Sequence, residues 1–175
     1  MTQGTQHSAD DPRNADILIW INGALKSRNE AVVSVFDSGF VLGDGVWEGL
    51  RVARGHPVFL DAHLDRLFEG AKAIMLDVGL DRDGLTRAIY STLDANRMHG
   101  DGVHVRLMIT RGVKRTPYQD PRVTVGPATI VIIPEYKTPS PEKFERGMTL
   151  YTVNVRRGAP DVQDQKLNSH SKLNC

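Results

Sequence analysis

Two lysines near the end of the chain, Lys166 and Lys172, and the upstream residues Trp47, Glu48, Arg66 and Arg106 are of types that can do chemistry. A lysine amine attacks carbonyl carbon once it has lost its proton, which desolvation or a nearby cation encourages. Arg66 follows His63 by three residues in a run of helical apolar spacing. An arginine is always charged and donates a planar pair of N–H bonds, which matches a phosphate or a carboxylate; a solvated helix face suits it equally. Arg106 stands within an apolar run, where a cation either snorkels to an edge or has a partner. Trp47 suits a core and Glu48 a paired or solvated carboxylate. Gly39, Gly43 and Gly45 are either turn residues or points where the backbone approaches a ligand closely.

These side chains have to be carried by regular elements. Residues 17–21, then Asn22-Gly23, then residues 24–26 read as strand, tight turn and strand. Residues 31–36 are another β-rich run, stopped by Asp37-Ser38-Gly39, a turn-forming triplet. From Val46 the sequence alternates as a strand and turns at Arg54-Gly55-His56-Pro57 into residues 58–60. Leu60, Leu64, Leu67, Ala71 and Ile74 recur at helical spacing, which predicts a helix over 61–76 with Asp61 as its N-cap. A second helix is expected over 82–96. Residues 103–110 and 128–134 are strands flanking a loop rich in Gly, Pro and Arg at 111–126. The expected fold class is α+β. A small two-layer α/β domain spans 17–134, after a disordered leader at 1–16. A proline-rich linker at 135–146 follows, and residues 147–175, with a strand at 148–155, begin a second domain.

Composition narrows the function. Lys plus Arg number 22 against 21 Asp plus Glu, and a formal net charge of +1 gives no overall basic field for nucleic acid or an anionic membrane. The one cysteine, Cys175, allows no internal disulfide and no Cys-based zinc site. No metal centre is expected, and a reducing, cytoplasmic setting fits. No apolar run approaches the roughly 20 residues that cross a bilayer, and the polar, acidic start is unlike a signal peptide.

Four stretches, in order, resemble one family. Val35-Phe-Asp-Ser-Gly-Phe-Val-Leu-Gly-Asp-Gly-Val-Trp-Glu-Gly-Leu-Arg51 is similar to the glycine-spaced signature of the class IV (fold type IV) aminotransferases, the branched-chain and D-amino-acid aminotransferase family of pyridoxal 5'-phosphate (PLP) enzymes. Val58-Phe-Leu-Asp-Ala-His-Leu-Asp-Arg-Leu67 resembles the helix start that carries the phosphate ligand. Arg106-Leu-Met-Ile-Thr-Arg-Gly112 follows, and Asp164-Gln-Lys-Leu-Asn-Ser-His-Ser-Lys-Leu-Asn174 resembles the lysine segment.

The resemblance implies a D-amino-acid-aminotransferase-like fold, in which residues 147–175 start a truncated, barrel-like carboxy-terminal PLP-binding domain. It implies PLP as cofactor with Arg66 on its phosphate. Phe40, Trp47 and Arg106 would touch substrate, and the complete protein would be a homodimer. The expected activity is transamination between an amino acid and a 2-oxo acid. Branched-chain donors are the first choice, since Phe36, Phe40 and Trp47 suit aliphatic side chains. An aminodeoxychorismate-lyase-like elimination, or a D-amino-acid or amine transaminase, is the alternative on the same fold. The D-specific Arg-x-His pair is not matched, because Thr116-Pro-Tyr-Gln stands in its place. Aligned without gaps from Asp164, Asn168 falls where the family's reactive lysine stands. Lys166, two residues earlier, shares a strand face with that position and is the preferred catalytic lysine, with Lys172 as the alternative. If neither reaches the cofactor, the chain is a non-catalytic PLP-binding domain.

Overall fold

Asn22 and Gly23 both take positive φ, 44° and 94°, the backbone that a two-residue hairpin turn requires. In the computed structural model they join β1 (Leu18–Ile21) to β2 (Ala24–Ser27). The structure describes residues 11–137, 141–156, 158–159, 161–162 and 164–171. After the hairpin come α1 (Ser38–Leu42), β3 (Gly45–Ala53), β4 (His56–Pro57), α2 (Leu60–Ala73) and α3 (Arg82–Ala95), then β5 (Val103–Thr110), β6 (Thr129–Tyr136) and α4 (Pro141–Arg146). The strands form one antiparallel sheet in the order β2-β1-β6-β5-β3-β4.

Alternation along the central strands makes two layers. Val46, Glu48, Leu50 and Val52 of β3 and Val103, Val105, Leu107 and Ile109 of β5 are buried, and the register sets Glu48 opposite Leu107 and Leu50 opposite Val105. α2 covers β3, and α3 covers β1 and β6. Their Leu64, Leu67, Leu85, Ile89 and Leu93 fill the space between, each contributing about 1.5–3 kcal/mol by leaving water. The opposite face of β3 and β5 carries Trp47, Arg51, His104, Arg106 and Met108, all partly or fully exposed. No helix among the described residues is long and apolar enough to cross a membrane.

Backbone groups at the element ends are satisfied by side chains. Asp81 accepts a 2.7 Å bond from Gly84 N and starts α3. Asp37 accepts a 2.8 Å bond from Gly39 N and starts α1, which Gly43 closes at φ 68°. Pro134 offers no N–H to β1, and pairing between β1 and β6 stops at Trp20–Ile132. The amide of Asn96 takes over, with Oδ1 accepting from Leu18 N at 2.7 Å and Nδ2 donating to Leu18 O at 2.9 Å.

Several expectations change. Residues 31–36 are not a strand: Ala31 N and Val32 N bond back to Ser27 O and Glu30 O, and the run meets another segment at its end, where Phe36 O accepts from Lys114 N at 2.9 Å and Asp37 bridges to Val113. The triplet after them opens a short helix. Asp61 does not cap α2; Phe59 holds that position with a left-handed backbone and no side-chain bond, and Asp61 lies in the first turn, where its charge suits the helix dipole. Of the expected leader, residues 1–10 lie outside the described residues. Residues 11–16 are bound to the sheet, since Asn14 donates to Tyr136 O at 3.0 Å and accepts from Tyr136 N at 2.7 Å. β6 runs on to Tyr136, and Pro141–Arg146 of the expected linker is helical. Residues 148–155 form no strand, and Leu150, Tyr151, Val153 and Val155 are exposed; alternation without a neighbouring edge makes no ladder.

Candidate active site at the amino-terminal end of β3

Glu48 alternates onto the helix-covered face of β3 and is wholly buried. Such a carboxylate needs compensation, and α2 supplies it from two residues on one face. Arg66 donates from Nε to Glu48 Oε1 at 2.7 Å and from Nη2 to Oε2 at 2.5 Å. His63, three residues earlier on the same helix face, donates from Nδ1 to Oε2 at 2.7 Å. The hydrogen bond with Glu48 raises the guanidinium above its ordinary value. The Arg66 side chain is nevertheless 51% exposed, so Nη1 and the outer edge of the fork are open to an anion.

The segment carrying the expected catalytic lysine lies along the free edge of β3. Trp47 N donates to Asn168 O at 3.0 Å, Asn168 Nδ2 to Trp47 O at 2.5 Å, and His170 N to Gly45 O at 3.0 Å. Val46 and Ser169 form a bridge. His170 Nε2 donates to Val46 O at 3.0 Å, and burial keeps this imidazole below its ordinary pKa. Gly70, one turn beyond Arg66 in α2, faces Val46 and this segment: a Cβ there would stand in ordinary contact with Val46 Cγ1 at 3.4 Å and Leu167 Cδ2 at 3.9 Å. Lys166, adjacent to Leu167, is exposed, and its N–H bonds Asp164 Oδ1 at 2.9 Å.

On the other face, the Arg106 guanidinium lies 4.0 Å from the Trp47 ring centroid, a cation–π contact. The indole Nε1 donates to Ser169 O at 3.0 Å, which ties this face to the same terminal segment. His104 stands beside them. Burial first, then the positive charges of Lys137, Arg51 and Arg106, hold its pKa down to about 4, so it is neutral near pH 7.

The structure therefore brings Arg66, Trp47, Arg106 and the Lys166 segment to one end of β3. Arg66 lies on the helix side and the Trp47–Arg106 pair on the open side. Phe40 is 72% exposed on α1, and Phe36 is 45% exposed before it, so the described residues build no enclosed apolar pocket around them with Trp47. Lys172 lies outside the described residues. Among the described residues no cluster of His, Cys, Asp and Glu could hold a metal ion. The roles of Glu48, His63, Asn168 and His170 are not evident from residue type. The signal for the first two was present in the alternation of β3 and the three-residue spacing in α2. The signal for the last two depends on a strand edge that only the folded sheet creates.

Comparison with known proteins agrees with this fold. The amino-transferase class IV family matches residues 45–175. The chain is 40% identical over 163 residues to branched-chain-amino-acid aminotransferase-like protein 1 of Arabidopsis thaliana, covering 93% of this chain and 29% of that protein. It is 36% identical over 157 residues to a putative branched-chain-amino-acid aminotransferase of Methanocaldococcus jannaschii, covering 89% of this chain and 52% of that one. The fold superposes on the branched-chain amino acid aminotransferase of Escherichia coli with a TM-score of 0.73 at 22% identity, over 89% of this chain and 52% of that one. The chain thus spans about half or less of the length of these relatives. With β3, the arginine of α2 and the terminal segment all inside the matched region, the chain belongs to the class IV aminotransferase family.

Proposed function

We propose that this chain contributes the phosphate-binding and substrate-facing parts of a PLP-dependent transaminase, which moves an amino group from an amino acid, branched-chain first, to a 2-oxo acid. The observation that carries the reading is Arg66: a half-exposed guanidinium fixed on its inner edge by a buried carboxylate, one helical turn from where the lysine-bearing segment packs. A phosphate dianion fits the outer edge of that fork, and the lysine-bearing segment packs one helical turn away, so these residues suit PLP at its phosphate and reactive ends. When bound, PLP supplies an electrophilic carbon and an electron sink.

The chain's own residues then have separate tasks. Arg66 Nη1 and Nη2 bind and orient the phosphate. Lys166 Nζ, with Lys172 as the alternative, holds and returns the proton leaving the substrate α-carbon. Arg106, set over Trp47, offers a charge-assisted contact to a substrate carboxylate, and the indole limits how that substrate lies. Asn168 Nδ2, bonded to Trp47 O, holds the segment and does not react. Homodimerisation and a cytoplasmic setting complete the reading.

The test is an absorbance spectrum of the protein with added PLP before and after borohydride reduction, with peptide mapping of the modified residue and an amino-transfer assay on L-leucine and D-alanine. A reduced adduct on Lys166 or Lys172, with transfer from L-leucine, is the expected result. PLP that stays free, with no adduct on either lysine, defeats the proposal.

A further inference from the structure

The Glu48 carboxylate faces two partners of different character. Arg66 brings a permanent charge to both oxygens, and His63 brings an N–H to Oε2. Among the groups given to Glu48 by these bonds, only His63 can change its charge in the neutral range. Its side chain is 24% exposed while Glu48 is 0% exposed, so the imidazole reaches water and the carboxylate does not. Among the described residues, the charged groups tied to His63 through these bonds are Glu48 from β3 and Arg66 from its own helix.

With no anion bound, the whole Arg66 fork serves Glu48. A phosphate dianion on the outer edge of the fork makes a second demand on the same guanidinium. The buried carboxylate then lacks compensation that solvent cannot supply. His63 can supply it: Nδ1–H already points at Glu48, and Nε2 can take a proton from water. We propose that Glu48 and His63 form a charge-compensating pair behind Arg66, so that binding a phosphate dianion at Arg66 is coupled to uptake of a proton at His63. By linkage, protonation of His63 strengthens phosphate binding by the same factor. This inference rests on the reading of Arg66 as the phosphate ligand, and it makes His63 and Glu48 positioning residues.

The experiment follows the His63 Cε1–H resonance through a pH titration of the whole 175-residue protein, free, with PLP, and with pyridoxal, which lacks the phosphate. PLP is expected to move the His63 midpoint up by about one pH unit, a tenfold coupling, and pyridoxal to leave it in place. In Glu48→Gln the PLP-induced movement is expected to vanish. As a measurement independent of that variant's folding, calorimetry of PLP binding in buffers of different ionisation enthalpy should show more proton uptake in the wild type than in His63→Gln. A midpoint that does not move, while Arg66→Gln weakens PLP binding tenfold, overturns the inference and leaves the cofactor reading intact. If Arg66→Gln has no effect on PLP binding either, both are overturned. A movement that persists undiminished in Glu48→Gln means a direct effect of phosphate on the imidazole, and the proposed coupling is wrong.

Discussion

A lysine at position 66 would keep the charge and lose the fork. Arg66 uses Nε and Nη2 on Glu48 and presents its other edge outward, which a single ammonium cannot do. Arg66→Lys is therefore expected to weaken PLP binding by one charge-assisted bond, about 1.5–3 kcal/mol or roughly ten- to hundredfold in Kd, measured by fluorescence titration. His104 gives a prediction in acid. Its folded-state pKa of about 4 lies below the ordinary 6.5, so the unfolded chain binds the proton more readily. The stability this residue contributes is present above about pH 6.5 and is lost as pH falls to about 4. His104→Asn should flatten that part of a Tm-against-pH curve, and an unchanged slope between those limits would remove His104 as the cause. At this scale helical spacing put Arg66 on α2 and its proposed role came from the resemblance, whereas Glu48 looked like an ordinary paired or solvated carboxylate. Its burial depends on α2 lying over β3.

Elements whose signals are local matched well. The Asn22-Gly23 hairpin, the helix ending near Asn96 and the strand Val103–Thr110 stand close to where turn chemistry and periodicity put them. Residues 31–36 and 148–155 failed for a shared reason, since β-branched composition describes a strand's side chains and not the neighbour its backbone needs. α1 was hidden because Asp37-Ser38-Gly39 serves a turn and a helix start equally. Asn96 shows how an element end is coupled to a distant one. Asn96→Ala would leave Leu18 N and O without the partners that bridge α3 to β1, and it should cost about 1–3 kcal/mol in urea denaturation. Gly43→Ala, forcing a Cβ into the left-handed cap at φ 68°, should cost about 1–2 kcal/mol. A loss below a few tenths would mean that the cap relaxes freely.

Across the whole molecule, one sheet separates two chemical surroundings. The helix side holds the buried Glu48 with Arg66 and His63, and the open side holds Trp47 under Arg106; the terminal segment touches both by running along the β3 edge. That edge is itself composite. Residues 56–57 pair with one end of β3 and residues 168–170 bond the other. The second of these is held by a few bonds and not by a full strand, so removing it should leave the sheet standing while baring the Trp47 N–H and the C=O groups of Gly45, Val46 and Trp47. Unpaired edges recruit strands from other chains. A protein cut before residue 164 is therefore expected to keep its far-ultraviolet circular dichroism and to self-associate with rising concentration in sedimentation velocity. In the intact chain the same few residues that hold the segment with the proposed reactive lysine also shield the β3 edge from other chains.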